Sequence, residues 1–373
     1  MIRYLFFLLA FSWVQHTYAQ LSLKGAGQGI EVNFCGGKIF KHTKNFKAPL
    51  PSLATAVELN YIFQTTGRKE WQQRRNFPLV GLGFAYTNYG IDSVYGKCFS
   101  AYPFIQLPIL KGKKFEWTFR AGFGIGYVSK CYQRAPVWDT LNNAIGSHLN
   151  NYTILSTDLR YHINNHWDVQ IGGNFSHISN GGFRSPNLGI NLYGAHVGFR
   201  YFPTTSNPPR AARLLAPLNN RLLFHIRLGF SATEDKEPDG ALYPVYIASA
   251  YVSKRYHNLN KIFAGIDYSY HEAIYAFLRN NEVAPGHEKD LSWKSALFVG
   301  NEFLFGRIGI LLQFGWYLRR SALPNSPYYE KLGANVYLLQ QEKGLMKEAT
   351  LGIFLKAHNA QAEFAEIGLG FAF

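Results

Sequence analysis

A histidine and a serine lie two positions apart near the end of an alternating segment, 166–179. Successive side chains of a β-strand point to opposite faces, so His177 and Ser179 share one face and are neighbours on it. The rest of that face is apolar: Trp167, Val169, Ile171, Gly173 and Phe175. The other face holds Asp168, Gln170, Gly172, Asn174 and Ser176. An imidazole beside a hydroxyl group can take its proton, so the pattern predicts a nucleophile with its general base on a lipid-facing surface.

An asparagine on the next alternating segment, 190–203, can complete this pair. The apolar residues of that segment stand at every second position counted from Asn191. This spacing places Asn191 on the same exterior face as His177. A side-chain amide oxygen can accept the imidazole proton and hold the base in one orientation, as in Cys-His-Asn sites. We therefore expect Ser179, His177 and Asn191 to form a catalytic set.

These residues carry a resemblance to a known family. The run His177-Ile-Ser-Asn-Gly, followed by Pro186-Asn-Leu-Gly189 and a strand that ends in Phe-Arg-Tyr-Phe202, resembles the lipid A 3-O-deacylase family called PagL. It is most similar to the acyloxyacyl-hydrolase-like members from Bacteroidetes, with a looser likeness over about residues 20–205. The resemblance implies an outer-membrane carboxylic ester hydrolase that acts on lipid A within lipopolysaccharide.

The same resemblance implies roles for individual residues. His177 would be the general base and Ser179 the nucleophile, while Asn187 and the backbone after Asn180 would contact the oxyanion. The acidic member of the family's triad falls on Asn191 in this chain. An amide orients a histidine but does not stabilise its charged form as a carboxylate does.

The elements that must position these residues are β-strands throughout. Alternation with a period of two recurs in sixteen segments of about ten residues, which is typical of a transmembrane antiparallel β-barrel. The two sets of eight segments resemble each other in order and spacing, and His177 falls opposite His358 in this pairing. Sixteen strands permit either one wide barrel or two eight-stranded units.

The chain divides into four parts on this interpretation. Residues 1–19 form a signal peptide, 20–203 the barrel half with the site, 204–220 a proline-rich linker, and 221–373 a second, degenerate half. Ala360 follows His358 where Ser179 follows His177, so we expect the second half to lack a nucleophile. The chain ends in Phe373, which resembles the signal that outer-membrane barrels present to the barrel-assembly machinery.

Composition and charge narrow the class of partner. The 38 Lys and Arg residues exceed the 23 Asp and Glu residues, which favours an anionic partner such as a phosphorylated lipid. Secretion makes nucleic acid an unlikely partner, and the chain lacks an apolar run of about 18 residues that would span a bilayer as a helix. We expect localisation in the bacterial outer membrane, among its lipids.

Other candidate sites are weaker. The glycines of Gly122-Phe-Gly-Ile-Gly126 lie within a strand pattern and serve strand packing, and His287, Glu288 and Asp290 lack a regular ligand spacing. We therefore expect no cofactor and no metal. Cys98 and Cys131 flank one predicted hairpin, and either a disulfide or two buried thiols fits them. The rival functional class is a non-enzymatic barrel, either a porin-like channel or a scaffold, for which a large polar lumen would be expected.

Overall fold

The alternation of the sequence becomes two closed barrels of eight antiparallel strands each in the computed structural model. The structure describes residues 27–134, 136–211, 215–234, 240–322, 326–359 and 361–373. The expected signal peptide and Ala360 lie outside these residues. Of the two predicted arrangements, the pair of eight-stranded units is confirmed and the single wide barrel is wrong.

Each strand of the first barrel pairs with its successor, and the eighth strand pairs with the first. The strands are β1 (Gln28–Ile39), β2 (Ala54–Gln64), β3 (Leu79–Asn88), β4 (Lys97–Lys111), β5 (Phe115–Val128), β6 (Leu149–His162), β7 (Trp167–Ser179) and β8 (Ile190–Tyr201).

The second barrel follows the same order. Its strands are β9 (Leu222–Glu234), β10 (Leu242–His257), β11 (Asn260–His271), β12 (Trp293–Phe305), β13 (Ile308–Arg319), β14 (Tyr328–Gln340), β15 (Glu348–His358) and β16 (Gln361–Ala372). Pairing of β16 with β9 closes it, and Phe373 extends this seam through backbone hydrogen bonds of 2.9 and 3.2 Å with Phe224.

In the part of the chain that the structure describes, helices are few and short: α1 (Glu70–Arg74), α2 (Asp92–Tyr95), α3 (Glu272–Asn280) and a 3-10 turn at Asp290–Ser292. Among the described residues, no helix is long and apolar enough to cross a bilayer. The described parts of the segment between Tyr201 and Leu222 contain neither a helix nor a strand.

The interior of the first barrel is filled with charged side chains and, towards the loops that carry the site, with aromatic and aliphatic ones. Glu31 forms ion pairs with Arg120 and, at 2.6 Å, with Arg200. His196 Nε2 lies 2.7 Å from Asp158 Oδ1, and all of these side chains are almost fully buried. An eight-stranded barrel encloses only enough space for its own side chains.

The second interior is filled in the same manner. Lys331 pairs with Glu366 at 2.9 Å, and Lys261 pairs with Glu348 at 2.9 Å and with Glu302 at 3.1 Å. Unpaired charges in such an interior would be strongly destabilising, which accounts for the networks. These residues fill the interior and do not form the large polar lumen that a porin-like channel needs.

Two loops cover the end of the first barrel at which β7 finishes. The segment 40–53 contacts the segment 129–148 through Asn143, whose Oδ1 accepts hydrogen bonds from the amides of Lys47 and Ala48 at 3.0 and 3.1 Å. Phe46 and Ile145 are fully buried beneath them. Cys98 is a free, buried thiol 3.3 Å from Ser100 Oγ, so the disulfide alternative is not realised.

Candidate active site

The pairing of β7 with its two neighbours brings the candidate residues together. His177 lies directly opposite Asn191 on β8, and Ser179 lies directly opposite Asn151 on β6. This face is the exterior one. The alternate residues Ser176 and Ile178 point into the interior and are buried, whereas Ile171, Tyr193 and Val197 are at least half exposed. The burial pattern thus agrees with the predicted faces.

Hydrogen bonds join the three predicted residues into one chain. His177 Nε2 lies 2.9 Å from Ser179 Oγ, and His177 Nδ1 lies 2.6 Å from Asn191 Oδ1. Since an amide oxygen only accepts, Nδ1 carries the proton and Nε2 is left to accept the serine hydrogen. This is the tautomer that a general base requires.

A fourth residue continues the chain. Asn191 Nδ2 lies 2.9 Å from His42 Nδ1, on the loop after β1. The amide group donates here, so the ring nitrogen of His42 accepts. The contact fixes the orientation of the Asn191 amide and keeps its oxygen towards His177.

The nucleophile is less exposed to solvent than its position on the exterior face suggested. Ser179 is only 3% exposed, and its Oγ accepts a hydrogen bond of 3.3 Å from Asn151 Nδ2. The adjacent loops account for this burial: Asn180, the residue after Ser179, donates to Ser147 Oγ at 3.1 Å. The bond from Asn151 leaves the serine hydrogen directed at His177.

The two asparagines expected at the oxyanion have different positions in the loop 180–189. The backbone amide of Asn180 donates to Asn187 Oδ1 at 2.9 Å, and the Asn180 side chain forms hydrogen bonds to Gly182, Arg184 and, outside the loop, Ser147. The backbone amides of Asn180 and Gly182 therefore already have acceptors. Asn187 Nδ2 is buried and has no hydrogen-bond partner among the residues that the structure describes.

The loop ends in a glycine because a larger residue would not fit there. Gly189 has a φ of +77°, and a Cβ there would lie 2.7 Å from His177 Cε1. Any side chain at this position would displace the imidazole.

Sequence reasoning missed His42, Asn151 and Ser147. Asn151 lies on β6, the strand that precedes β7 in the sequence, and pairing of these neighbouring strands places it opposite Ser179. His42 lies in an irregular loop far away along the chain, and no local pattern in the sequence indicates that it reaches Asn191.

The predicted counterpart in the second barrel has a different environment. His358 points into the interior, where its Nε2 lies 3.0 Å from Tyr317 Oη and its Nδ1 lies 3.7 Å from Glu363. His177 and His358 thus occupy opposite faces of their strands, so pairing them as equivalents is wrong by one residue. Among the described residues, no cluster of three His, Cys, Asp or Glu side chains could hold a metal ion.

Two family models match the chain. Lipid A 3-O-deacylase (PagL) matches residues 55–200, and the C-terminal domain of acyloxyacyl hydrolase matches residues 220–373. Between them the two models cover most of both barrels, and each barrel is similar to a domain of the PagL family. The function of the chain is therefore of the lipid A deacylase type, a hydrolase function, and similarity to the PagL family together with the barrel fold points to the bacterial outer membrane.

Solved structures overlap with the chain only loosely. The outer-membrane enzyme PagL is 17% identical, covering 46% of this chain and 98% of its own, with a TM-score of 0.32. Neisserial surface protein A is 8% identical over 48% of this chain and 97% of its own, with a TM-score of 0.34. A Rhodopseudomonas blastica porin is 6% identical over 93% of this chain and 99% of its own, with a TM-score of 0.18. A search of curated proteins found no match. The functional assignment rests on the two PagL family matches alone.

Proposed function

We propose that the protein is a serine esterase of the outer membrane that removes an ester-linked acyl chain from lipid A. The observation that supports this best is the hydrogen-bonded chain from Ser179 through His177 to Asn191 on the exterior face of the first barrel. An ester of a membrane lipid lies outside a barrel rather than within it. A nucleophile on the outer wall is therefore on the side from which that substrate approaches.

The proposed reaction has two steps. His177 Nε2 takes the proton of Ser179 as Oγ attacks the acyl carbonyl carbon, and Nε2 then returns the proton to the departing sugar oxygen. A water molecule, deprotonated by His177, cleaves the resulting acyl-serine and releases the fatty acid.

Asn187 is the oxyanion donor in this proposal. Its Nδ2 is a buried donor without a partner, and its orientation is fixed because Oδ1 accepts the amide hydrogen of Asn180. A buried donor of this kind is costly unless something else uses it. A negatively charged oxygen that forms only during the reaction is a suitable acceptor.

Charge supports lipid A as the substrate. Four exposed lysines, Lys38, Lys41, Lys44 and Lys47, lie on β1 and on the loop that carries His42. A concentration of cations on the loop that contacts Asn191 through His42 attracts a phosphorylated glycolipid. The proposal also divides the chain into a signal peptide at 1–19, a catalytic part at 20–203 and a linker at 204–220. It includes delivery of the protein to the membrane by the barrel-assembly machinery.

The decisive experiment replaces the nucleophile. Ser179→Ala removes the attacking oxygen and is expected to reduce fatty acid release from purified lipid A roughly a thousandfold or more, since the covalent route is lost. Ser176→Ala on the interior face of the same strand is the matched control and should keep wild-type activity. Full deacylation by folded Ser179→Ala would show that the nucleophile is another residue. An inactive wild type would favour a non-enzymatic barrel.

A further inference from the structure

The loop that follows the nucleophile is bound by a carboxylate of the other barrel. Glu234 is the last residue of β9, and its Oε1 accepts a hydrogen bond from Arg184 Nη1 at 2.6 Å. Its Oε2 accepts a hydrogen bond from the backbone amide of Ser185 at 2.5 Å. The Glu234 side chain is 0% exposed, so both oxygens are committed to two consecutive residues of the loop 180–189. We call this arrangement the Glu234 clamp.

A second contact presses the same loop against the second barrel. Gly182 has a φ of +86°, and a Cβ there would lie 2.6 Å from the carbonyl oxygen of Glu363. A Cβ on Gly181 would lie 3.0 Å from Ala365 Cβ. The backbone of the loop therefore lies directly against β16, with no room for side chains.

One residue connects the clamp to the active site. The backbone of Arg184 is held from the first barrel, because its oxygen accepts a hydrogen bond of 2.9 Å from Asn180 Nδ2 and its amide donates to Asn180 Oδ1 at 3.2 Å. Asn180 follows Ser179 in the chain, and its own amide orients Asn187. Movement of Arg184 would thus be transmitted to Asn180 and, through its amide, to Asn187.

We propose that Glu234 is a positioning residue for the deacylation, through which the second barrel holds the loop that carries Asn180 and Asn187. The inference rests on the proposed function of Ser179. It gives the second barrel a part in the reaction although that barrel has no catalytic set of its own at His358. Charge-assisted hydrogen bonds to a buried carboxylate are strong and directional, and they restrict the loop to one position.

The test measures kcat and KM on purified lipid A in mixed micelles for Glu234→Gln and Glu234→Ala in the full-length protein. A displaced oxyanion donor is expected to lower kcat by about 10- to 100-fold, with little change in KM. Labelling of Ser179 by a fluorophosphonate probe should slow in parallel. Heat-modifiable mobility on gels reports whether each variant is folded.

A control variant separates the clamp from general docking of the barrels. Arg75 donates to the carbonyl oxygen of Leu259 at 3.1 Å and lies over the Phe305 ring at 4.6 Å, at a second barrel contact away from the loop. Arg75→Ala should leave kcat unchanged. An equal loss in Arg75→Ala would overturn the specific role of Glu234.

Removing the other partner tests the same ion pair from its more exposed side. Arg184→Gln should reproduce the loss in kcat, and the double variant with Glu234→Gln should be no worse than either single variant. If Glu234→Ala fails to fold, these two variants decide. An unchanged kcat in any folded variant of Glu234 overturns the inference, whereas failure of the proposed function itself would appear as an inactive wild type or a fully active Ser179→Ala.

Discussion

The two barrels each carry a histidine near the same end of corresponding strands, and the difference between them shows what makes a site. On β7, His177 faces outwards and lies between the hydroxyl group of Ser179 and the amide oxygen of Asn191. On β15, His358 faces inwards and contacts Tyr317 and Glu363. The first histidine can exchange a proton with a nucleophile, whereas the second belongs to the packed interior.

Strand parity is the physical origin of this difference. Moving one residue along a strand transfers a side chain from one face of the sheet to the other. On β15 the interior positions include Phe354 and Lys356, and His358 continues that parity. Two barrels can share a strand order without sharing a surface site, because a shift of one residue along a strand moves a side chain to the other face.

The comparison is sharpened most by removing the proposed oxyanion donor. Asn187→Ala is expected to lower kcat by about 100- to 1000-fold, because the donor acts only when the oxyanion forms. Initial rates of fatty acid release measure this effect. Asn174→Ala, on the interior-facing side of β7, serves as the control with an amide of the same kind. An Asn187→Ala enzyme with wild-type kcat would mean that the unpartnered Nδ2 has no role in the reaction.

The orienting residue gives a smaller effect that depends on the replacement. Asn191→Ala frees His177 Nδ1 and is expected to lower the rate by about 10- to 100-fold through a poorly held base. Asn191→Asp supplies a carboxylate that stabilises the charged imidazole, so we expect its rate to equal or exceed that of the wild type. Both are measured as the loss of acyl mass from lipid A. A slower Asp than Ala variant would contradict the assigned orientation of the imidazole.

The smallest effect on activity is expected in the second barrel. His358→Ala should leave deacylation unchanged and lower the free energy of unfolding by about 1 to 3 kcal/mol, because the buried Tyr317 hydroxyl loses its partner. Urea unfolding of the barrel and lipid A deacylation are measured side by side. Loss of activity with unchanged stability would break the comparison, since it would place His358 in the reaction.

The strands and their faces could be predicted from the sequence, because a wall that separates lipid from a packed interior imposes a period of two on every segment. The predicted segments 166–179 and 190–203, for example, begin and end within two residues of β7 and β8. Closure into two units could not be predicted in this way. The pairing of β8 with β1 is a long-range contact that leaves no mark on the local alternation.

The candidate site was predictable only as far as strand parity reaches. Ser179, His177 and Asn191 lie on strands, so their shared face followed from counting. The separate roles of Asn180 and Asn187 depend on how an irregular loop closes on itself. His42 and Glu234 are far from their partners along the sequence, and no repeating sequence pattern indicates that they contact them.

The filled interiors of the two barrels determine whether ions can pass through the protein. Arg120 and Arg200 converge on the single carboxylate of Glu31, and Lys331 binds Glu366 across the other lumen. Side chains packed in this way occupy the described interior of each barrel. We therefore expect planar bilayers that contain the protein to show no steady open-channel current.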